Sequence, residues 1–175
     1  RVGVATDALA RMGVLVTRGH AIETLARANH FVFDKTGTLT HGRMHLEELQ
    51  VLGDRDEAQL VRLAAAIEQG SEHPVAAGLR AASAGQALPT ASDVQAETGL
   101  GMRGIVDGET FWIGRPDYVA RAAGLASPAG LEDFVARGGT VIGLAARSGW
   151  LGLFRLADQL REEASVLTGR LAAEG

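Results

Sequence analysis

Hydrophobic and polar positions change their period several times along this chain, and each change marks an element. His30-Phe31-Val32-Phe33 is a short apolar run, the pattern of a buried parallel strand. Before it, residues 5–12 and 20–28 carry helix-forming residues, the second with Ile22, Leu25 and Ala26 on one face, and Leu15 and Val16 suit a short strand. Residues 46–52 read as a strand. Leu60, Leu63, Ala64 and Ile67 then recur at helical spacing, with Asp54 or Asp56 as the cap and Gly70 as the stop. Pro74 suits the first position of a second helix over 75–84. After a loop at 85–92, residues 94–97, 104–106 and 110–113 are short strands, the last two joined by the turn Asp107-Gly108. Helices are expected at 117–123 and 130–136. Residues 140–146 and 150–156 form a hairpin around Ser148-Gly149, and 160–173 a closing helix with Leu160, Ala164, Leu167 and Leu171 on one side. The middle of this order predicts a mainly antiparallel sheet with helices on one face. It is inserted as residues 44–156 into an α/β unit, of which 1–43 and 157–175 are pieces.

Composition narrows the function classes. The 175 residues suffice for one domain and part of another. The first residue is Arg1, so a fragment of a longer protein is expected. A formal net charge of −4 gives no reason to expect nucleic acid or an anionic membrane surface as partner. With no cysteine there is no disulfide and no thiolate metal site. No apolar run approaches the roughly 20 residues that span a bilayer, and nothing resembles a signal peptide. His41 and His45 are four apart, but Gly42 between them and the strand that follows favour a linker or hinge over a metal site. His20 and His30 read as structural.

The chemistry starts where the first strand ends. Asp34-Lys35-Thr36-Gly37-Thr38-Leu39-Thr40 follows it directly. A carboxylate at the C-terminal end of a parallel strand sits at the crevice where α/β sheets bind ligands. Gly37 permits a tight turn, and its neighbours offer N–H groups and hydroxyls to a phosphate. Asp34 is thus placed to attack a phosphoryl group. Two residues on, where a phosphatase of this design keeps a second acid, stands Thr36, which cannot protonate a leaving group or activate water near neutral pH. The acyl-phosphate should form readily and hydrolyse slowly, which suits an energy-transducing cycle.

The segment 34–40 resembles the phosphorylation motif of P-type ATPases, members of the haloacid dehalogenase-like superfamily. Ser71-Glu72-His73-Pro74 looks like the signature of their heavy-metal-transporting branch. The resemblance covers nearly the whole chain. It implies an incomplete haloacid dehalogenase-like phosphorylation domain with an inserted α+β nucleotide-binding domain, forming the cytoplasmic part of an ATP-driven membrane pump. Asp34 would be the phosphorylated nucleophile, with Lys35, Thr36 and Thr38 beside it. Asp34 and the Thr36 carbonyl would hold Mg²⁺, with a further ligand outside this chain. The partners implied are the transmembrane and actuator domains and the transported ion. The phrase 13–20 looks most like copper pumps, and zinc or cadmium pumps remain the alternative.

For the nucleotide, Gly99-Leu100-Gly101-Met102-Arg103-Gly104 offers close backbone approach. It precedes a strand, so it is no Rossmann phosphate loop, which must open a helix. By resemblance, Gly99, Gly101 and Gly114 lie against ATP, Met102 or Leu100 lines the base pocket, Glu68 meets the adenine amino edge, and His73 orients ATP. Arg115 stands where copper-pump relatives commonly carry asparagine, and could meet a phosphate directly. Asp158 and Arg161 resemble the family's hinge Asp-x-x-Arg, and equally suit a surface i, i+3 ion pair. Two rivals are a soluble phosphatase of the same superfamily and a non-enzymatic nucleotide-binding module.

Overall fold

A computed structural model of the chain describes residues 40–160 and, singly, Arg11 and Thr17. The remaining expectations for 1–39 and 161–175, among them Asp34, Lys35, Thr36, Thr38 and Arg161, lie outside the described residues. In order, the elements are β1 (Thr40–Val51), α1 (Glu57–Ile67), α2 (Pro74–Ala82), β2 (Ala91–Glu97), β3 (Gly101–Val106), β4 (Glu109–Gly114), α3 (Pro116–Ala123), α4 (Leu131–Ala136), β5 (Thr140–Ala146) and β6 (Gly149–Leu160). The six strands form one antiparallel sheet in the order β1-β6-β5-β4-β3-β2.

Local chemistry explains most boundaries. Asp56, not Asp54, caps α1. Its Oδ1 accepts the Gln59 N–H at 2.8 Å, and Gln59 Oε1 accepts the Asp56 N–H at 3.0 Å, a reciprocal capping box. The helix stops earlier than Gly70, at Ile67 with Glu68 as C-cap, because the following turn is held by the Glu68 N–H to Ala64 O and Ser71 N–H to Glu68 O bonds. His73 caps α2 and Pro74 takes its first position.

The helices occupy both faces of the sheet, not one. Leu60, Leu63, Ile67, Val75 and Leu79 of α1 and α2 pack with Met102, Phe111, Ile113, Ile142, Leu144 and Phe154. On the opposite face, Tyr118, Val119 and Ala123 of α3 pack with Trp112 and Ala145. This is why Phe111, Trp112 and Ile113 run continuously apolar: β4 is covered on both sides, as a strand buried on both faces must be.

The expected linker at 41–45 is also replaced by strand. β1 starts at Thr40, and β6 runs beyond Leu156 to Leu160, where the spacing predicts the start of a helix. Thr40 pairs with Leu160 and Met44 with Asp158, so β1 has a bulge between Thr40 and Met44. The bulge absorbs Gly42 without ending the pairing. Further along this ribbon, Arg155 binds Glu47 and donates to Glu48 at 3.0 Å, and Arg137 also binds Glu48. At the other edge, β2 is mostly exposed, and a shift between Ser92 and Gln95 with Asp93 at φ 46° breaks its regular edge.

Candidate functional site

The end of β2, the start of β3, the end of β4 and the start of β5 all lie at one end of the sheet, as the antiparallel pairing of Glu97 with Gly101 and of Gly114 with Gly143 requires. The loop between α1 and α2 covers that end. Between them is a cavity of about 360 Å³, within the usual size range of small-molecule sites. Glu68, His73, Gly99, Gly101, Met102, Gly114 and Arg115 all line it. These seven residues, singled out one by one from the sequence, are therefore neighbours in space.

Glu68 leaves α1 as its C-cap and is only 7% exposed. Burial raises its carboxyl above the ordinary glutamate value of 4.5, and the Ser71 hydroxyl and the charge of Arg80 counter only part of this. A carboxylate held dry at a cavity wall accepts N–H donors strongly. His73 accepts the Val75 N–H on Nδ1 at 3.2 Å. The neutral ring, assigned by that bond, then carries its proton on Nε2 and offers a donor.

The glycines serve the backbone itself. Gly99 has φ +74° in the β2–β3 turn, where Leu100 N–H bonds Glu97 O at 3.0 Å. Gly101 and Gly114 are cross-strand partners. A Cβ on Gly101 would meet the Ile113 carbonyl and lie 2.7 Å from Tyr118 Cε1. One on Gly114, at φ +145°, would meet the Leu100 carbonyl. At these two positions the requirement for glycine arises within the sheet and on its α3 side. Arg115, at the N-cap of α3, donates to both carboxylate oxygens of Asp117 at 3.1 and 2.9 Å and holds that acid below its usual range. Both side chains are exposed.

Sequence reasoning missed Glu97, Thr98, Thr140, Val141 and Ile142 in the same wall. Thr140–Ile142 reach the cavity only because β5 pairs with β4 across a long stretch of chain, for which there is no local signal. Asp158 is half-buried in β6, and its suggested partner Arg161 lies outside the described residues. Among the described residues there is no group of three or more His, Asp or Glu able to hold a metal. No described helix is long and apolar enough to cross a membrane.

The profile of haloacid dehalogenase-like hydrolases matches residues 28–175. The chain belongs to the haloacid dehalogenase-like hydrolase family. Within this family it is 42% identical over 174 residues to a probable copper-transporting ATPase of Synechococcus, covering 98% of this chain and 21% of that protein. It is 36% identical over 172 residues to a zinc/cadmium/lead-transporting P-type ATPase of Escherichia coli, covering 96% of this chain and 23% of the relative. The crystal structure of a zinc-transporting PIB-type ATPase matches with a TM-score of 0.81 and 35% identity, over 99% of this chain and 29% of that one. The chain thus spans about a fifth of the length of these curated relatives. These likenesses bear out the resemblance carried by residues 34–40 and 71–74, and the fold class with it.

One test concerns the buried acid alone. A carboxyl whose value is raised by folding is fully compatible with the fold below about 4.5, and its ionisation weakens the fold as pH rises above that. Glu68→Gln is therefore expected to melt at a higher temperature than the parent chain at pH 7, with the difference closing by about pH 4. Thermal unfolding at the two pH values checks this. A variant less stable than the parent at pH 7 would refute the burial argument.

Proposed function

We propose that this chain is the ATP-binding and phosphorylation region of a P-type ATPase that exports heavy-metal cations, with Cu⁺ as the favoured cargo. The observation that carries the ATP-binding part is the convergence of Glu68, His73, the paired glycines and Arg115 on one cavity. The adenine amino edge donates to Glu68. His73 donates from Nε2 or stacks on the base. Met102 and Ile142 supply apolar wall, and the backbone at Gly99 and Gly101 closes on the nucleotide. Arg115 reaches a phosphate by exchanging its hold on Asp117.

The chemical step belongs to Asp34. Its carboxylate oxygen attacks the γ-phosphorus, the bond to the β–γ bridging oxygen breaks, and ADP leaves with the electron pair. Mg²⁺, held by Asp34 and the Thr36 carbonyl with a ligand beyond this chain, would neutralise phosphate charge. Thr36 leaves no acid to hurry hydrolysis, so the acyl-phosphate persists long enough to bias two states of a membrane domain. On this reading the chain faces the cytoplasm and works with transmembrane and actuator domains. The copper assignment is favoured by the phrase at 13–20 and by the identity to a relative named as copper-transporting. Zinc or cadmium is the second reading, favoured by the zinc-transporting structure.

The test is an ATP titration of the 175-residue chain followed by backbone amide shifts. Saturable shifts at Gly99, Gly101 and Gly114 are expected, together with an affinity lowered roughly tenfold, a loss typical of one good polar contact, in His73→Ala. That variant also loses a helix cap, about 1 kcal/mol, which leaves the fold in place. A folded chain with no saturable shifts would sink the assignment. This stretch alone is expected to bind ATP without sustained turnover, and sustained phosphate release that depends on Asp34 would overturn that expectation.

A further inference from the structure

We infer that Arg80 is a positioning residue for the cavity, fixing how far apart Glu68 and His73 stand. The inference rests on the ATP-binding reading above. Arg80 lies in the last turn of α2, remote in sequence from both groups. Its Nη1 donates to two carbonyls of the loop that carries them, Glu68 O at 3.1 Å and Ser71 O at 2.9 Å. The side chain is half-buried, so these bonds are partly shielded from water.

The loop between α1 and α2 is tied at its two ends, by Gln69 N–H to Ala66 O at 3.4 Å and by Val75 N–H to His73 Nδ1 at 3.2 Å. Ser71 N–H bonds Glu68 O at 3.0 Å, and His73 N–H bonds Ser71 Oγ at 3.2 Å. Both are internal to the loop. Arg80 links the middle of the loop to the body of α2, and it does so at the carbonyl end of α1. That helix has no basic residue in its own last turn. The guanidinium therefore supplies from a neighbouring helix the cation that a helix C-terminus favours. Its charge also counters part of the burial effect on Glu68. One side chain thus sets the carbonyl of Glu68, the carbonyl of Ser71 and the electrostatics of the Glu68 carboxylate, while it does not itself line the cavity.

The test compares ATP affinity in the 175-residue chain with Arg80→Ala, Arg80→Lys, Glu68→Gln and the Ala–Gln double variant. Arg80→Ala is expected to weaken ATP roughly 5- to 30-fold with amide shifts outside residues 68–75 retained. Arg80→Lys, with the same charge on a shorter stem, should recover part of that loss. The double variant should lose less than the product of the two single losses, because Arg80 acts through Glu68. An effect that multiplies fully, or unchanged affinity in Arg80→Ala, would overturn the inference. If Arg80→Ala does not fold, Arg80→Lys decides: a two- to threefold weakening supports the role, and parental affinity refutes it.

A second readout needs no nucleotide. Hydrogen exchange of the Ser71 and Val75 amides should quicken in Arg80→Lys relative to the amides of β4. Quickened exchange in a chain that binds no ATP would keep the clamp and discard the nucleotide reading. Unchanged exchange beside normal ATP binding would discard the clamp and keep the nucleotide.

Discussion

Gly101→Ala is expected to cost the chain about 3 kcal/mol of stability and to abolish binding in the cavity at ordinary ATP concentrations. The new methyl group would meet the Ile113 carbonyl and lie 2.7 Å from the Tyr118 ring. Neither neighbour can retreat cheaply. Ile113 is pinned in β4, which pairs with strands on both sides. Tyr118, on α3, is buried against Trp112. The strain must therefore go into the β3–β4 pairing, and β3 begins at the cavity. Gly108→Ala is the matched comparison. Unlike Gly101 it has a positive φ, +79°, but a Cβ there meets nothing within 4 Å, so it should lose only about 1 kcal/mol through backbone strain. Thermal unfolding should show a Tm drop of roughly 10 °C for Gly101→Ala. Equal drops in the two variants would mean that the close approach in β3 has been misread.

The second large effect concerns chemistry. If the proposed function holds, Asp34→Asn, placed in the full-length protein, is expected to remove phosphoenzyme formation down to background. A carboxylate oxygen attacks phosphorus because it carries a full negative charge and a free lone pair. The amide that replaces it has the same shape, but its nitrogen lone pair is delocalised and its oxygen is uncharged. ATP affinity should not fall, because the cavity contributes the contacts and the variant removes a charge that repels the γ-phosphate. The measurement is acid-quenched transfer of radiolabelled γ-phosphate, with hydroxylamine to cleave any acyl-phosphate. Labelling that survives in Asp34→Asn would relocate the nucleophile. Lost labelling together with lost ATP binding would mean the fold, not the nucleophile, had been damaged.

What could be read in the sequence was what is encoded locally. The cap of α1, the proline opening α2 and the last hairpin each involve residues a few positions apart: of the two candidate caps Asp56 is used, Pro74 opens α2 as expected, and the turn falls at Arg147-Ser148 with Gly149 already in β6. The cavity residues were legible only through the family resemblance carried by residues 34–40 and 71–74, since a glycine-rich turn, a helix-face acid and a cap-region histidine taken singly mark no site. The contributions of Thr140–Ile142 and Arg80 were not legible. The first depends on which strand lies beside β4. The second depends on how α2 crosses the end of α1. The two-sided cover of the sheet could have been suspected from Phe111-Trp112-Ile113, since three consecutive apolar residues leave no face of a strand for water. The linker expected at 41–45 failed for another reason. A glycine beside polar residues has the composition of a loop, yet the same composition suits a bulge inside a paired strand.

The pairing of β1 with β6 has a consequence for how such a unit can be carried by a host protein. Thr40 and Leu160 are partners across the ribbon, so the chain departs and returns at points separated by about one interstrand spacing, about 5 Å. Seen from the host, the whole six-stranded sheet spans no more distance than a tight turn would. Loop-closure entropy depends only weakly on what lies between two such points. The cavity walls and their connecting loops can therefore lengthen, shorten or exchange residues over generations while the host's own backbone path stays fixed. A site built on such a stem can be tuned independently of the chain on either side of it.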